Sequence, residues 1–159
     1  MKDYSGKMLA EGVALGIAVS RFNSFFTRQL LAGALDCVER LGGSEKNVTV
    51  AWAPGANDLP LLVQRMANME SIQAVVALGA VIEGATPHAD LINSQLSRSL
   101  TRIALESGRP VVNGVVCTHT IEQAVERSGT KAGNKGADAV QAAIEMVSLL
   151  GQLPPAKPR

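Results

Sequence analysis

Four nearly continuous apolar runs divide the chain, and stretches with helical periodicity lie between them. The runs are VALGIAVS at 13–20, VTVAWA at 48–53, AVVALGAVI at 74–82 and VVNGVVC at 111–117. Strands that are apolar on both faces are typical of a parallel sheet buried between two layers of helices. The alternation therefore predicts a three-layer α/β/α domain with a four-stranded parallel sheet and right-handed crossovers.

Five segments between and after these runs carry apolar side chains at helical spacing. They lie at 31–41, 59–66, 92–103, 120–129 and 140–147. Gly42 and Gly108 follow the first and third segments as helix stops, and Thr120 and Gln123 have capping-box spacing at the start of the fourth. We expect residues 1–150 to form one domain and the Pro-rich segment 151–159 to be a disordered tail.

The charge of the chain is nearly balanced, with 15 basic and 14 acidic residues among 159. Nucleic acids and anionic membranes both select for a basic excess, so neither is an expected partner. No stretch has the roughly 18 consecutive apolar residues of a membrane span. The amino-terminal segment MKDYSGKMLAEG lacks the apolar core of a signal peptide. We therefore expect a cytoplasmic protein.

The sequence contains two cysteines, Cys37 and Cys117. Neither belongs to a CxxC pair or to a cluster with histidine, so a zinc site or a disulfide framework is not expected. Both lie in apolar surroundings, where a cysteine packs as a small apolar side chain. We predict two buried, reduced thiols and no bound metal.

Sheets of this type bind ligands at the carboxyl ends of their strands, so the residues that follow each run are the candidates for a site. Phe22 could stack on a planar ligand, although a Phe at a strand end more often packs in the core. Asp58 and Glu83 could accept hydrogen bonds from ligand hydroxyls, but surface carboxylates are common and neither is specific. His119 is expected to be structural or exposed.

The segment GATPH at 84–88 is the most informative of these strand ends. Thr86 is a favourable N-cap and Pro87 a favourable first helical residue, so a helix should begin here. Free backbone amides at Ala85, Thr86 and His88 would then form an anion site. His88 would stand beside the bound anion with a side chain that titrates near neutral pH. The alternative is a capped helix with an exposed histidine.

A second informative stretch, GTKAGNKG at 129–136, follows Glu126 and Arg127. Three glycines and three basic residues, Arg127, Lys131 and Lys135, fall close together. An anion or a polar heterocycle bound there would explain both features. The alternative is a solvated, flexible connector between two helices. The residues alone leave both interpretations open.

Taken in order, these stretches resemble the 6,7-dimethyl-8-ribityllumazine synthase family along nearly the whole chain. The resemblance rests on GIAVSRFN, APGANDLP, ALGAVIEGATPHAD and TIEQAVERSGTKAGNKG, followed by AIEMVSLL. It implies a flavodoxin-like, doubly wound fold and a transferase of riboflavin biosynthesis. The family condenses 5-amino-6-(D-ribitylamino)uracil with 3,4-dihydroxy-2-butanone 4-phosphate and releases phosphate and water. No cofactor is expected, since no hydride moves and no Lewis acid is required.

The resemblance also implies roles for individual residues. Phe22 stacks on the pyrimidine, His88 shuttles protons, and Arg127, the second catalytic residue, binds the phosphate. The ribityl chain is held by Ala56, Asn57, Asp58, Ala80, Val81 and Ile82. The phosphate is also held by Ala85 and Thr86. Asn113 and Lys135 approach the ring from the neighbouring subunit's side of the pocket or close to it.

Some pocket positions depart from the commonest family pattern, and they make the pocket more polar and less aromatic. They are Asn57, Asp58, Glu83, Ala89 and Asn113. The family forms pentamers, with the active site between neighbouring subunits, and many members build 60-subunit shells. We therefore expect small-molecule substrates and a homo-pentamer, with a 60-subunit shell as a further assembly.

Two other functions remain open at this point. One is a catalytically weak paralogue that binds flavin or lumazine, or that forms a shell. Its pocket could discard Thr86, His88 and Arg127, so their presence favours turnover. The other is a flavodoxin-like FMN protein, which would need a Ser/Thr-rich phosphate loop after the first strand. The segment SRFNSFF has no glycine there and carries a bulky ring instead.

Overall fold

The computed structural model describes residues 1–84, 88–130 and 132–158. Within these ranges the central sheet has four parallel strands in the order β2-β1-β3-β4. They are β1 (Leu15–Ser20), β2 (Val48–Ala53), β3 (Ala74–Ile82) and β4 (Val111–Thr118). The predicted four-stranded parallel sheet is confirmed. Strand β1 starts two residues later than its apolar run, and β4 ends one residue later.

The helices of the described ranges lie on both faces of this sheet. They are α1 (Ser24–Arg40), α2 (Leu59–Ala67), α3 (Ala89–Ser107), α4 (Ile121–Arg127) and α5 (Lys135–Gln152). Helices α1 and α5 pack together on one face, and α2 and α3 pack on the other. The three-layer, flavodoxin-like architecture is therefore confirmed. Helix α5 extends to Gln152 and so takes in the first two residues of the segment predicted as a tail.

Side chains of the central strands alternate between two separate cores. In β1, Leu15, Ile17 and Val19 join the core under α1 and α5, whereas Ala18 joins the core under α2 and α3. Successive side chains of a strand point to opposite faces, so a strand covered on both faces must be apolar throughout. Each fully buried Leu or Ile contributes about 1.5–3 kcal/mol relative to an exposed one.

The chain leaves the two central strands in opposite directions. Helix α1 leads from β1 to β2 at one edge of the sheet, and α3 leads from β3 to β4 at the other. Strands β1 and β3 are paired directly, with Leu15 opposite Ala74 and Val19 opposite Leu78. A crevice opens beyond the carboxyl ends of two strands arranged in this way, and this crevice is where the predicted site residues begin.

No helix in the described ranges is long and apolar enough to cross a membrane. In the same ranges, no group of three or more His, Cys, Asp or Glu side chains is placed to hold a metal ion. The expectation that the protein binds no metal stays a prediction.

Candidate active site

A cleft of about 390 Å³ lies at the carboxyl ends of β1 and β3. We call it the first cleft. Its lining comes from the ends of β1 and β3, the turn before α2 and the first turn of α3. The lining residues are Ser20, Phe22, Asn23, Gly55, Ala56, Asn57, Asp58, Ala80, Val81, Ile82 and Ile92. Seven of the predicted substrate-binding residues are thus brought together in one place.

Phe22 stands on the rim of the first cleft with 71% of its surface exposed. Its backbone N–H donates to the carbonyl oxygen of Pro54 at 3.2 Å, just as the N–H of Arg21 donates to that of Ala53 at 2.8 Å. The backbone is therefore fixed to the end of β2 while the ring is left free. This exposure rules out the core interpretation of Phe22 in the isolated chain and leaves a face available for stacking.

Asn23 is a member of the first cleft that sequence reasoning missed. Its backbone is left-handed, with φ 60° and ψ 45°, a conformation that Asn tolerates better than most residues. Its side-chain Nδ2 donates to the carbonyl oxygen of Ala80 at 2.8 Å. The bond ties the start of α1 to β3 and occupies one of the two lone pairs that the Ala80 carbonyl could offer a ligand.

Ala56, Asn57 and Asp58 form a short 3-10 turn that leads into α2. The Oδ2 atom of Asp58 accepts a hydrogen bond from the N–H of Gly55 at 3.0 Å. The carboxylate therefore fixes this turn with one oxygen and has its other oxygen for a ligand. Asn57 and Asp58 are both exposed, so the turn presents a polar edge opposite the ring of Phe22.

A smaller cleft of about 200 Å³ lies along the outer edge of β4. We call it the second cleft. Its walls come from β4, the end of α4 and the starts of α3 and α5. The lining residues are Asn93, Asn113, Val115, Val116, Cys117, Arg127 and Lys135. Three predicted site residues, Asn113, Arg127 and Lys135, therefore lie here, apart from the other predicted positions.

The side chain of Asn113 is held from both ends in the second cleft. Its Oδ1 accepts from the N–H of Val115 at 2.9 Å, and its Nδ2 donates to the Ser97 hydroxyl at 3.2 Å. Strand β4 is at the edge of the sheet, where backbone amides lack a neighbouring strand. Asn113 satisfies one of these amides, whereas an aromatic side chain at this position would have no acceptor for it.

Arg127 and Lys135 place two cations in the second cleft. Arg127 ends α4, and its Nη1 donates to the carbonyl oxygen of Gln123 at 3.0 Å, so its other N–H groups remain for a ligand. Lys135 begins α5. Asn134 caps that helix by accepting from the N–H of Gly136 at 2.8 Å, and it donates to the carbonyl oxygen of Gln29 at 3.0 Å.

The described residues of the glycine-rich stretch 129–136 form regular structure. It contains two short antiparallel strands, β5 (Ser128–Thr130) and β6 (Gly133–Asn134). Gly133 has φ 78°, and a Cβ on Gly136 would lie 2.1 Å from the carbonyl oxygen of Leu30. Backbone conformation and close helix contact therefore account for these two glycines without a bound anion. Lys131 lies outside the described residues.

Cys37 is buried as predicted, but Cys117 is only half-buried and borders the second cleft. The prediction that Cys117 is buried is wrong, because Cys117 lies on the edge strand β4 and its side chain lines the second cleft. Burial raises the pKa of both thiols, and the charge of Lys135 opposes that effect at Cys117. Both thiols are therefore protonated and weakly nucleophilic near neutral pH.

His88 occupies the N-cap position of α3 and is exposed. Its carbonyl oxygen accepts from the N–H of Ile92 at 3.0 Å. The predicted phosphate-binding residues Ala85 and Thr86, and Pro87 with them, lie outside the described residues. Within the described part, the predicted helix is present and its first helical residue is Ala89.

Two further charged side chains stand at the ends of β3 and β4. The His119 Nδ1 atom contacts the Glu83 Oε2 atom. His119 is exposed, as expected, but it has a specific partner. The hydrogen bond and charge of Glu83 raise the pKa of His119.

Helix α3 forms the wall between the two clefts. Ile92 lines the first cleft, and the next residue, Asn93, lines the second. Consecutive residues of an α-helix point about 100° apart, so one helical turn serves both clefts. The described site residues thus fall into two groups: one with an exposed ring and a carboxylate, the other with two cations.

A larger groove of about 640 Å³ is bordered by β2 and α2 and shares Asp58 with the first cleft. Its lining also includes Trp52, Leu61 and Arg65. Volume alone would favour the groove as the ligand site. However, the groove touches only β2 of the sheet, whereas the first cleft lies at the strand ends where the crossover direction reverses. We therefore assign the site to the first and second clefts.

Comparison with known proteins gives one consistent result. Residues 12–151 match the family model described as 6,7-dimethyl-8-ribityllumazine synthase. Proteins named 6,7-dimethyl-8-ribityllumazine synthase from two strains of Clostridium kluyveri are each 49% identical to this chain over 153 residues. The aligned region covers 96% of this chain and 99% of each relative.

Proposed function

This chain belongs to the 6,7-dimethyl-8-ribityllumazine synthase family, and from that premise we propose that it makes 6,7-dimethyl-8-ribityllumazine. It condenses 5-amino-6-(D-ribitylamino)uracil with 3,4-dihydroxy-2-butanone 4-phosphate and releases phosphate and water. It is a transferase of riboflavin biosynthesis. The observation that carries the proposal is 49% identity over 96% of the chain. No feature of the described residues favours the alternative, a binding or shell-forming paralogue.

The first cleft has the chemistry to bind the uracil substrate. The exposed ring of Phe22 can stack on a flat heterocycle. Asn57, the free oxygen of Asp58 and the backbone groups of Ala80, Val81 and Ile82 can hydrogen-bond a ribityl chain. Its volume of about 390 Å³ falls in the range of small-molecule sites.

The second cleft has the chemistry to bind the phosphate end of the butanone. Arg127 and Lys135 carry positive charge at its rim, and a guanidinium can bind a phosphate through two parallel hydrogen bonds. At about 200 Å³ the cleft is too small to enclose the heterocycle as well. Among the described residues that line the first cleft there is no basic side chain. The first cleft therefore supplies a ring and hydrogen-bonding groups for the heterocycle, and the second supplies the positive charge for the phosphate.

We propose that a complete active site forms where the first cleft of one subunit meets the second cleft of its neighbour. Two observations support this assembly. The two clefts lie on different sides of α3, since Ile92 lines one and Asn93 lines the other. In addition, Phe22 remains 71% exposed in the isolated chain. Asn113 would then approach the heterocycle from the neighbour. The phosphate would also contact Ala85 and Thr86, as family resemblance implies.

The reaction needs protons to move at each stage. The 5-amino group of the uracil attacks the ketone, and water leaves as the imine forms. Loss of the C3 proton then expels phosphate from C4 and leaves an enol, which tautomerises to a new carbonyl at C3. The ribitylamino nitrogen attacks this carbonyl and closes the second ring with loss of a second water. His88, exposed at the start of α3, can donate and accept these protons, while Arg127 stabilises the departing phosphate. Alignment of two substrates in one site contributes further.

We propose that the active form is a homo-pentamer, with a 60-subunit shell as a further assembly. A ring of subunits would join each first cleft to a second cleft without leaving an unpaired half-site. Exposed large apolar side chains support an interface, since monomers expose few of them in patches. Examples are Phe22, Phe25, Leu61, Leu91 and Leu105. Light scattering and electron microscopy of the purified protein test both assemblies.

The remaining proposals concern the limits of the domain and its compartment. We propose one domain at 1–150, continued by the last turn of α5 to Gln152, and a tail over the remaining residues to 159, which limited proteolysis would trim without loss of activity. We also propose a cytoplasmic location, because the free thiols of Cys37 and Cys117 suit a reducing compartment. Cell fractionation with an antibody to the protein tests the location.

The function is tested by mixing the purified protein with both substrates. We expect lumazine absorbance and inorganic phosphate to rise together in a one-to-one ratio, and neither to rise when one substrate is omitted. Binding of the product without its formation, in protein shown to be assembled, would support the paralogue instead.

His88→Ala should slow turnover without abolishing it. General acid–base catalysis typically contributes about 10²–10⁴-fold, and solvent can replace part of it at an exposed position. We expect kcat to fall by roughly 10²-fold with little change in either KM. Exogenous imidazole should restore part of the rate. An unchanged kcat for His88→Ala would remove His88 from the mechanism.

A further inference from the structure

Glu83 and His119 connect the carboxyl ends of β3 and β4. The segments that follow these two strands carry the proposed catalytic groups, His88 and Arg127. Glu83 is the first residue after β3, and His119 is the first after β4. Their side chains are in contact through Oε2 and Nδ1. The backbone is joined at the same point, because the N–H of Glu83 donates to the carbonyl oxygen of Thr118 at 2.9 Å.

Hydrogen bonds continue from His119 to Arg127 along α4. The backbone N–H of His119 donates to the Oε1 atom of Gln123 at 3.0 Å. The carbonyl oxygen of Gln123 in turn accepts from Nη1 of Arg127 at 3.0 Å. The start of α4 is fixed by Thr120, whose hydroxyl accepts from the N–H of Gln123 at 3.1 Å. Contacts therefore run from the end of β3 to the guanidinium in the second cleft.

On the other side of the pair, Glu83 is followed by Gly84, which is exposed and whose added Cβ would meet nothing within 4 Å of the described residues. His88 then precedes the first helical residue of α3, Ala89. Among the described residues, the two fixed elements that flank His88 in the chain are the end of β3 at Glu83 and the first turn of α3.

We propose that the Glu83–His119 pair is a positioning pair for the condensation reaction. It fixes the position of the end of β3 relative to α4. The chain leads from the end of β3 to His88, and α4 carries Arg127. The inference rests on the proposed function only in that His88 and Arg127 act on the substrates. Neither Glu83 nor His119 lines the first or second cleft, so the pair acts through the segments it joins.

The charges around His119 make this positioning depend on pH. Glu83 faces it from the end of β3, Asp90 contributes from the first turn of α3, and Glu122 lies in the first turn of α4. His88, at the start of α3, is a further titratable group. The hydrogen bond and charge of Glu83, with Asp90, raise the pKa of His119 above its ordinary value of 6.5.

The sign of the pH effect follows from this direction. A histidine whose pKa is raised in the folded protein holds its partner fully below the unfolded value and loses that interaction as pH rises through the folded value. The pair is therefore fully formed below about pH 6.5 and is progressively weakened in more alkaline solution. Exposed ion pairs contribute little to global stability, so the effect should appear in kinetics rather than in unfolding.

The test compares four variants with the wild type. Glu83→Gln and His119→Gln each remove the ion pair. A reversed pair, Glu83→Arg with His119→Glu, keeps opposite charges but does not titrate between pH 5.5 and 9. Glu106→Gln is the control, because Glu106 pairs with Arg102 on α3 in an ion pair that is more exposed than Glu83–His119 and lies away from both clefts. Steady-state kinetics with both substrates, thermal unfolding and histidine NMR titrations are recorded for all of them.

We expect both single variants to lower kcat about tenfold at pH 6, since small misplacement of catalytic groups is costly. The deficit should shrink towards pH 9, where the wild-type pair is itself weakened. The KM for the phosphate substrate should change less than kcat. The reversed pair should recover most of the lost kcat at pH 6. Because it does not titrate, it should keep its interaction at pH 9, where its kcat should equal or exceed that of the wild type. Glu106→Gln should match the wild type throughout.

Three results would overturn the positioning role. One is a wild-type kcat in both single variants at pH 6. Another is a deficit that is the same at every pH, and the third is a reversed pair no better than the single variants although it is folded. The NMR titration separates this inference from the proposed function: a lower His119 pKa in Glu83→Gln confirms the pair even in a protein that makes no lumazine, whereas an unchanged pKa shows that the pair does not form.

Discussion

The first and second clefts differ in shape, charge and origin, although they share one helix. The first cleft lies where β1 and β3 diverge, and it combines an exposed ring with a carboxylate and backbone groups. The second lies on the edge strand β4 and places Arg127 and Lys135 beside amide side chains. Under the proposed function, the first cleft takes the flat heterocycle with its polyol and the second takes the small phosphorylated ketone. The proposed assembly would make each chain an enzyme only beside a neighbour.

The strongest test of whether one active site uses clefts from two chains is to inactivate each cleft in a different chain. Ala56→Trp should fill the first cleft, and Arg127→Glu should repel phosphate from the second, so each variant alone should lose more than about 100-fold in kcat/KM. Refolded together at equal amounts, they should recover about a quarter of wild-type activity. A site is intact only when each of its two clefts comes from the appropriate chain, and each has a chance of about one half.

The control for mixing places both substitutions in one chain and mixes that chain with wild type. Sites shared between neighbours should again leave about a quarter of wild-type activity, whereas sites within one chain would leave about half. No recovery in mixed assemblies of the two single variants would mean that both clefts serve the same site within one subunit.

A second pair of substitutions sharpens the assignment of each cleft to its substrate. Arg127→Ala should raise the KM for the butanone phosphate by roughly 10–100-fold, because a charged hydrogen bond contributes about 1.5–3 kcal/mol. Phe22→Leu should raise the KM for the uracil by roughly 2–10-fold through lost stacking. Phe25→Leu is the control for Phe22, since Phe25 is 67% exposed but does not line the cleft. If each substitution affected both substrates equally, the assignment would be wrong.

The smallest effect is expected from packing behind the second cleft. Gly136→Ala would force a Cβ towards the Leu30 carbonyl oxygen, which should lower the unfolding free energy by about 1–3 kcal/mol. The same clash should shift Lys135 and so raise the KM for the phosphate substrate a few-fold. Gly151→Ala, near the other end of α5, meets nothing within 4 Å and should stabilise the helix by up to about 1 kcal/mol. Thermal unfolding and kinetics of both variants decide whether the start of α5 sets the position of Lys135.

The sheet was readable from the sequence because its central strands, β1 and β3, are buried on both faces. A two-sided core requires apolar residues at every position, and such runs are hard to mistake. Positions of the candidate site at strand ends then followed from the general rule for these sheets. Helix ends were less readable. Helix α1 begins at Ser24, although its apolar stripe was recognised only from Leu31. Its first turns break the apolar pattern, because Phe25 is exposed and Thr27 is buried.

Tertiary relations within the candidate site were not available from the sequence. Nothing local indicates that Ile92 and Asn93 face different clefts, since this depends on how α3 packs against β3 and β4. The half-exposure of Cys117 depends on β4 being an edge strand. Asn23 could have been recognised as a turn residue, but its bond to the Ala80 carbonyl joins positions 57 residues apart. The family resemblance proposed Ala85 and Thr86, which lie outside the described residues.

The shared wall at Ile92 and Asn93 has a thermodynamic consequence. A ligand that displaces the first turns of α3 from one side must change the binding free energy on the other side, and the coupling must be equal in both directions. In a closed ring each subunit would lend these two faces to different sites. Occupancy of one site could then change the affinity of the next site around the ring. The steepness of the substrate saturation curves of the assembled protein would therefore depend on how rigidly this single turn of helix is held.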